Sequence, residues 1–454
     1  MMTLIKFIEN IFRHFFPSPF TIAIILTILT FFLALFLSSE SINNIIISWE
    51  TGLWNTGLLA FTTQMMLMLV LGHSVALTRL ATKSISFITK FCKNTSNSAA
   101  IVSFFSIIVS FFNWGLGLIF GAILARKVGE KFSKENKKIN YPLIGAAGYC
   151  GLMVWHGGLS GSAPLKIAEK NHFNEIISNE NLISVLPENI NFSQTVFSSM
   201  NFFVIICLLI LVPFIFFILG KKIKKDKILK LEISSIDYTS SKKPSKTLAE
   251  KIDKSNFFGM IIGGVLILLS IFKIISSSSF DFINPNFINL FLLGIAIFFH
   301  SSIKNFLSSI NIAIKGVSGI LIQFPLYFGI MGIITSSGLV NIFSDFFISI
   351  STEYTYPIYT MISAGIVNVF VPSGGGQWAV QAPIILQTAY EIGVSFEKTI
   401  MAFVYGDQLT NMLQPFWALP LLGITGLKAK QILPYSVLIM IGGFLIFLTG
   451  IILF

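Results

Sequence analysis

Charged residues are scarce in this 454-residue chain, in which Asp, Glu, Lys and Arg together make up 11% of the sequence. A soluble domain carries about 25%, so the composition excludes a soluble globular protein. Hydrophobic residues make up 54%, and apolar runs long enough to cross a bilayer, such as Phe202 to Leu219, recur along the whole length. The runs are continuous and do not alternate residue by residue, which predicts membrane-spanning helices and not a β-barrel.

Cysteine and patterned histidine are also lacking. The three cysteines, Cys92, Cys150 and Cys207, are widely spaced and suggest neither a disulfide framework nor a metal cluster. The histidines are scattered, and the chain contains no HExxH or GxSxG pattern, so nothing favours an intramembrane enzyme. We therefore expect no enzymatic activity, no resident cofactor and no bound metal beyond an alkali cation such as Na⁺.

The net charge of +11 is explained by membrane topology without invoking nucleic acid. Residues 1–16 carry Lys6 and Arg13 but no small-residue cleavage site follows, so we predict a retained helix and not a signal peptide. With this N-terminus inside, the external segments contain one lysine, Lys398, and no arginine. Lys166, Lys170 and Lys273 lie near outer helix ends and count against the rule. The asymmetry still follows the positive-inside rule and predicts a cytoplasmic N-terminus. We expect a multi-pass protein of the bacterial cytoplasmic (inner) membrane.

Nine crossings are predicted from the apolar runs. They are Phe20–Leu37, Gly57–Thr78, Tyr141–Ile167, Phe202–Gly220, Phe257–Ile275, Phe287–Ser302, Gly319–Val340, Thr399–Leu427 and Pro434–Phe454. The lysine-rich segment Lys221–Lys254 is predicted to be a solvated cytoplasmic linker between two halves.

Two further apolar stretches are predicted to enter and leave the membrane on one side. Residues 98–128 have basic flanks at both ends, and their arms of about 15 and 10 residues around Asn113 to Gly117 are too short to cross a core about 30 Å thick at 1.5 Å per residue. Residues 356–390 have acidic flanks and the polar centre Pro372 to Trp378. We predict one re-entrant hairpin from the cytoplasm and one from outside.

The hairpins occupy corresponding places in two predicted inverted repeats. Each is followed by a long helix with a polar, proline-ended interruption, Trp155 to Pro164 in one half and Gly406 to Pro415 in the other. Aligning the prolines pairs His156 with Asp407. The predicted divisions are 1–56 (N-terminal helix and external loop), 57–170 (first repeat), 171–318 (connecting helices), 319–427 (second repeat) and 428–454 (C-terminal helix). Inverted repeats with interrupted helices are typical of secondary transporters.

Four segments of the chain, at the two hairpin tips and the two helix interruptions, resemble those of the short-chain fatty acid transporter family. They are NWGLGLIFGA (113–122), YPLIGAAGYCGLMVWHGGLSGSAPL (141–165), VPSGGGQWAVQAP (371–383) and YGDQLTNMLQPFWALPLLGI (405–424). The resemblance implies a carrier of the ion transporter superfamily, usually dimeric, that moves acetoacetate, butyrate and similar monocarboxylates. It does not decide the coupling ion or the direction of transport, and a carrier of another small carboxylate stays open.

A small carboxylate loses its water at mid-membrane, so the site has to supply hydrogen-bond donors. The three arginines fall at the predicted cytoplasmic edge, which excludes a bidentate guanidinium clamp. The remaining donors are backbone N–H groups at the glycine-rich tips, half-helix N-termini and neutral side chains. The candidate substrate-binding residues are Asn113, Trp114, Gly115, His156, Ser160, Ser162, Ser373, Gly374, Gly375, Gly376, Gln377, Thr410 and Asn411. The alternative for the small residues is tight helix packing alone.

His156 and Asp407 are the ionisable side chains placed well inside the interrupted segments, and such residues are functional candidates. Asp407 could ligate Na⁺ together with Asn411 and Ser160, or carry a symported proton, or only cap the broken helix. His156 could serve substrate or proton, or be a structural imidazole. A channel would also use re-entrant loops, but the inverted pair of broken helices favours alternating access.

Overall fold

The computed structural model describes residues 17–177, 180–223, 227–228, 231, 247–277 and 285–454. The predicted helix within residues 1–16 and most of the lysine-rich linker lie outside the described residues. The helices of the first half are α1 Pro19–Leu37, α2 Ile42–Leu53, α3 Thr56–Ala76, α4 Arg79–Lys90, α5 Thr95–Phe112, α6 Trp114–Lys134, α7 Tyr141–Tyr149, α8 Ser162–Ala168, α9 His172–Ile176, α10 Glu180–Val185 and α11 Ser199–Lys222.

The second half is also helical. Its helices are α12 Leu248–Lys254, α13 Asn256–Ser276, α14 Pro285–His300, α15 Ile303–Ala313, α16 Ser318–Ser336, α17 Leu339–Ser349, α18 Tyr356–Phe370, α19 Gly374–Ile392, α20 Phe396–Thr410, α21 Pro415–Thr425 and α22 Ala429–Leu453. The two-residue strands β1 Lys138–Ile139 and β2 Lys227–Ile228 pair antiparallel, with Lys138 opposite Ile228. This pair joins the described part of the linker to the end of α6.

Seven helical segments within the described residues are long and apolar enough to cross a membrane. They are α1, α2 with α3, α5, α11, α13, α16 and α22. The prediction of an all-α polytopic membrane protein is confirmed. Of the nine predicted crossings, Phe287–Ser302 corresponds to the shorter apolar helix α14, and the two interrupted crossings break into pieces that are too short for this criterion.

Segments predicted to lie outside contact one another. The Gln194 amide donates to Glu397 at 3.0 Å, and both residues lie in segments that the charge asymmetry assigns to the outside. Gln64, within the predicted crossing Gly57–Thr78, donates to Asn286 at the start of α14 at 2.8 Å.

Segments predicted to lie inside are likewise grouped. The Lys131 ammonium on α6 donates to the carbonyl oxygen of Thr89 at 2.7 Å. Arg126 and the Tyr141 hydroxyl both donate to the carbonyl oxygen of Thr425, at 3.4 Å and 3.0 Å. Thr425 ends α21, and a cation at a helix C-terminus satisfies carbonyls that the helix leaves unpaired. One end of the first repeat is thus tied to one end of the second.

The predicted external loop within residues 38–56 is wrong, because it contains the helix α2. This helix packs closely on α16: a Cβ atom at Gly52 would lie 3.0 Å from Cα of Gly329. Small residues at a contact let two helix backbones approach. The predicted external segment around Asn341 to Tyr356 likewise contains α17. Apolar residues on these short helices bury against neighbours, which the charge pattern does not reveal.

Both hairpins turn where the sequence predicts. Helices α5 and α6 meet at Asn113, and α18 and α19 are separated by residues 371–373. The predicted arm lengths of the first hairpin are wrong, since α5 has 18 residues and α6 has 21. Helix α5 starts earlier because the Asn94 side chain caps it, accepting from the N–H of Asn97 at 2.9 Å. Arms of this length can span about 30 Å, so the depth of the hairpin stays a prediction.

Candidate functional site

The two interrupted helices meet at their breaks. In the first repeat, α7 passes into a 3₁₀ turn at Cys150–Met153, an irregular segment follows, and α8 begins at Ser162. In the second, α20 passes into a 3₁₀ turn at Asn411–Leu413, and α21 begins at Pro415. We name residues 154–161 break 1 and residues 411–414 break 2. The predicted interruption from Gly406 onward starts too early, because the helix continues to Thr410.

His156 in break 1 and Asp407 in the last turn of α20 form the centre of the site. Both are fully buried, and Nδ1 of His156 contacts Oδ2 of Asp407. The sequence analysis pairs these two residues only as counterparts in an alignment of the repeats. The structure places them in direct contact. Within the described residues, no lysine or arginine pairs with Asp407.

The remaining contacts of His156 define its tautomer. Its Nε2 accepts a hydrogen bond from the backbone N–H of Ala163 at 3.0 Å. A ring nitrogen that accepts carries no proton, so the proton of the neutral ring is on Nδ1. Nδ1–H therefore donates to the Asp407 carboxylate. In this arrangement the imidazole is the donor and Oδ2 of Asp407 is the acceptor.

Each break also has its backbone bound by a side chain of the other half. Oε1 of Gln408 accepts from the N–H groups of His156 at 3.1 Å and Gly157 at 3.0 Å. In return, the Tyr149 hydroxyl lies 2.6 Å from the carbonyl oxygen of Asn411 and 3.0 Å from that of Gln414. A helix that breaks inside a membrane leaves backbone groups that must be paired. Here the two breaks stabilise one another.

Asn368, near the end of α18, is a site residue that sequence analysis misses. Its Nδ2 lies 2.7 Å from the carbonyl oxygen of Asp407, 2.9 Å from Oγ1 of Thr410 and 2.8 Å from Oδ1 of Asn411. The main-chain carbonyl oxygen of Asn368 accepts from Nε2 of Gln414 at 2.5 Å. The available signal was a single amide within an otherwise apolar helix, which marks functional positions in membrane proteins.

Several buried polar atoms around this centre have no partner among the described residues. They are Oδ1 of Asp407, Nδ2 of Asn411, Oδ1 of Asn368 and Oε1 of Gln414. A buried polar atom without a hydrogen bond costs about 1–3 kcal/mol, and most are satisfied in native proteins. The cluster therefore has the capacity to bind a cation or the polar end of a small molecule. Asp407, Thr410 and Asn411 lie together around this cluster.

The tip of the second hairpin packs against break 1. Ser373 caps α19, and its hydroxyl accepts from the N–H of Gly376 at 3.3 Å. A Cβ atom at Gly374 would lie 2.6 Å from the Trp155 ring and 3.0 Å from that of His156, so only glycine fits there. At Gly375 a Cβ atom would meet only Ser162, at 3.7 Å. The glycine run thus combines a close contact with an open position.

The predicted substrate residue Gln377 and its neighbour Trp378 face away from the centre. Nε2 of Gln377 donates to the carbonyl oxygen of Ala364 and to Gln381, both at 2.8 Å, so this side chain joins the two arms of its hairpin. Trp378 donates to His172 at 3.1 Å and packs against Phe403. The tryptophans of the two hairpin tips, Trp114 and Trp378, therefore do not form one apolar wall.

The tip of the first hairpin contacts the other side of break 1. The Asn113 side chain caps α6, accepting from Leu116 at 2.9 Å. The N–H of Trp114 donates to the Ser160 hydroxyl at 3.0 Å, and Gly115 abuts Met68 of α3. Ser160 thus holds the hairpin tip, and no described hydrogen bond joins it to Asp407. The structure does not bring Ser160 into the predicted ion site.

The sequence is similar over its whole length to one known protein family. The family model described as "Short chain fatty acid transporter" matches residues 1–454. The chain belongs to the short-chain fatty acid transporter family. A protein of Escherichia coli (strain K12) is 32% identical, with 99% of each chain covered. One of Haemophilus influenzae is 33% identical, with 98% of each covered. Both are named "Putative short-chain fatty acid transporter".

Two solved structures are weakly similar to the chain. The YdaH transporter of Alcanivorax borkumensis has a TM-score of 0.43 at 12% identity, covering 95% of this chain and 97% of the other. MtrF of Neisseria gonorrhoeae, titled as belonging to a class of antimetabolite efflux pumps, has a TM-score of 0.43 at 14% identity, covering 98% and 96%.

Proposed function

We propose that the protein is a secondary active carrier that moves butyrate, acetoacetate or related short-chain monocarboxylates across the cytoplasmic membrane by alternating access, coupled to a cation. The observation that carries the proposal is the buried Asp407, which meets His156 where both breaks converge. Burying a carboxylate within a membrane-spanning segment is energetically unfavourable, so its presence there indicates a functional role. Family membership supports the substrate class, and it also implies a homodimer, which the mass of the protein in lipid nanodiscs would test.

Substrate recognition in this proposal uses neutral donors. Arg126 pairs with Glu130 at 3.0 Å and binds the end of α21, away from the breaks. Near the centre, the first turn of α19 offers N–H groups at Gly374 and Gly375, and the open side of Gly375 faces Ser162. Unpaired N–H groups at a helix N-terminus favour an anion. A carboxylate bound this way leaves again more readily than one held by arginine.

Coupling in this proposal runs through Asp407. Because Nε2 of His156 already accepts from Ala163, an arriving proton adds to the carboxylate, whose Oδ1 has no partner in the described part of the chain. If the ion is Na⁺, the same oxygen is a ligand of the kind that hard cations prefer. Either cation neutralises Asp407 and lowers the cost of bringing a second negative charge nearby.

Uptake into proteoliposomes tests the proposal. Labelled butyrate and acetoacetate are offered with an imposed Na⁺ gradient, an imposed pH gradient, or neither. We expect saturable accumulation above equilibrium with one of the two gradients and only slow equilibration without it. Flux that does not saturate and ignores both gradients would instead indicate a channel.

A further inference from the structure

Three tryptophan rings meet beside the His156–Asp407 pair. Trp114 lies at the first hairpin tip, Trp155 in break 1 and Trp417 in the first turn of α21. The ring centroids are 6.0 Å apart for Trp114 and Trp155, 5.3 Å for Trp114 and Trp417, and 6.3 Å for Trp155 and Trp417. We call these three residues the tryptophan cluster. The first hairpin tip and both interrupted helices thus contribute a ring to one place.

The cluster is anchored to the buried His156–Asp407 pair. The Trp155 ring stacks on His156 with a centroid distance of 4.5 Å and an interplanar angle of 17°. Its other neighbour is the second hairpin: a Cβ atom at Gly374 would lie 3.3 Å from Cζ2 of Trp155. Cη2 of the same ring would lie closer, at 2.6 Å. The benzo edge of Trp155 therefore lies against the start of α19.

Two of the three indole N–H groups are buried without an acceptor. Trp155 is 4% exposed and Trp417 is 5% exposed, and Nε1 of neither has a hydrogen-bond partner among the described residues. A buried tryptophan normally finds a partner for its N–H, because leaving a donor unpaired is unfavourable. Two such donors on adjacent rings, at the point where both breaks meet, indicate an acceptor that the described part of the chain does not supply.

We propose that the indole N–H groups of Trp155 and Trp417 bind the carboxylate of the transported short-chain acid, while its acyl chain lies against the tryptophan rings. The proposal rests on the proposed function and names residues that recognise its substrate. The indole N–H is a donor only, so this group binds an anion and not a cation. Two neutral donors replace part of the water that the carboxylate loses, in a region that contains no arginine.

The rings also explain why the acyl chain of the substrate would have to be short. They contact one another, so an acyl chain enters only if one ring moves, and the half-buried Trp114 sits on a hairpin tip. Each methylene that is buried against the rings raises affinity about fourfold. Beyond the span of the three rings, additional methylenes gain no such contact. Affinity is therefore expected to rise with chain length and then to level off or fall.

The test uses Trp155→Phe and Trp417→Phe, which keep an aromatic ring and remove the N–H. We expect KM for butyrate uptake to rise about tenfold in each, the loss expected for a hydrogen bond to a charged group, with the chain-length preference unchanged. Trp49→Phe is the matched control, because Nε1 of Trp49 is also buried without a described partner but lies in α2 against Gly329 of α16. An unchanged KM in both site variants would overturn the inference.

A binding measurement separates this inference from the proposed function. In Trp49→Phe protein, butyrate is expected to change the intrinsic fluorescence, whereas uncharged butyramide is not. The comparison needs no variant within the site, so it remains decisive if a site variant fails to fold. Equal responses to both compounds would overturn the inference. Absence of butyrate transport by the unmodified chain is a different result, and it would overturn the proposed function itself.

Discussion

At the scale of single residues, the charge of Asp407 is the feature on which coupling depends. Asp407→Asn keeps the volume of the side chain and an oxygen that can accept from His156, but it cannot take up a proton or neutralise a cation. We expect gradient-driven accumulation of butyrate to be abolished at a normal protein level. Exchange of substrate for substrate should persist if H⁺ is the coupling ion. Proteoliposome uptake and counterflow measure the two activities.

Asp345→Asn is the matched control for that variant, because Asp345 is an exposed aspartate on α17. It should accumulate butyrate at the unmodified rate. If Asp407→Asn did the same, with unaltered ion dependence, Asp407 would be only a structural cap of the broken helix.

The tautomer of His156 leads to a second prediction. Glutamine can reproduce both of its contacts, since its amide N–H can donate to Asp407 and its oxygen can accept from Ala163. We therefore expect His156→Gln to retain coupled accumulation, with a rate lowered by about tenfold or less because the ring no longer stacks on Trp155. The pH dependence of uptake should be unchanged. A variant that exchanges substrate but no longer accumulates it would instead assign the coupling proton to His156.

The glycine run allows a third test with a matched pair. Gly375→Ala adds a methyl group that meets only Ser162 at 3.7 Å, so folding should be unaffected while the approach of a carboxylate to the backbone is narrowed. We expect KM for butyrate to rise several-fold at an unchanged melting temperature. Gly374→Ala collides with Trp155 and His156 and should lower the melting temperature as well. Normal KM in Gly375→Ala would exclude this position from the substrate site.

At the scale of helices, labelling can test whether both ends of each hairpin lie on the same side of the membrane. Single cysteines replace exposed Lys90 and Lys134 around the first hairpin, and exposed Glu353 and Glu391 around the second. Lys131 is less suitable, because its ammonium binds the carbonyl oxygens of Thr89 and Cys92. We expect a membrane-impermeant thiol reagent to label the first pair only from the cytoplasm.

The second pair should be labelled only from outside. The partly exposed native Cys207 is replaced by serine, whereas Cys92 and Cys150 are buried and remain. Labelling of either pair from opposite sides would mean that the stretch between them crosses the membrane, and the inverted-repeat prediction would fail.

The helices show how far sequence alone could go. Continuous apolar runs predict most long helices, and the short polar and glycine-rich segments at Asn113 and Ser373 predict the two turns. The lengths of the arms are not visible, because a capping residue such as Asn94 lies in a polar stretch that reads as loop. Helix α2 is missed because its burial depends on Gly329 and Gly332 of α16, far along the chain.

The site follows a similar pattern. His156 and Asp407 stand out because ionisable side chains are rare in apolar segments, yet nothing in their spacing states that they touch. Residue type alone does not single out Asn368 or Trp417 as site residues, because amides and tryptophans also occur in ordinary helix packing. Their importance comes from contacts between residues of the two repeats, and one sequence without its fold does not contain those pairings.

At the scale of the whole molecule, coupling requires that cation and substrate affect each other's affinity equally. If the cation neutralises Asp407 near the bound carboxylate, raising its concentration should lower Kd for butyrate, and butyrate should lower Kd for the cation by the same factor. Equilibrium binding to the purified protein over a grid of both concentrations measures the two factors. Affinities that do not depend on the other ligand would show that the coupling free energy between cation and substrate is zero.

The mutual pairing of the breaks also has a consequence for biosynthesis. Gln408 is made 252 residues after His156, whose N–H it binds, and at about 5–20 residues per second this interval lasts roughly 10–50 s. During that time the first half stands in the membrane with its break unpaired. We infer that the first half expressed alone is a substrate for membrane proteases, and that separate expression of the second half, from residue 247 onward, rescues it.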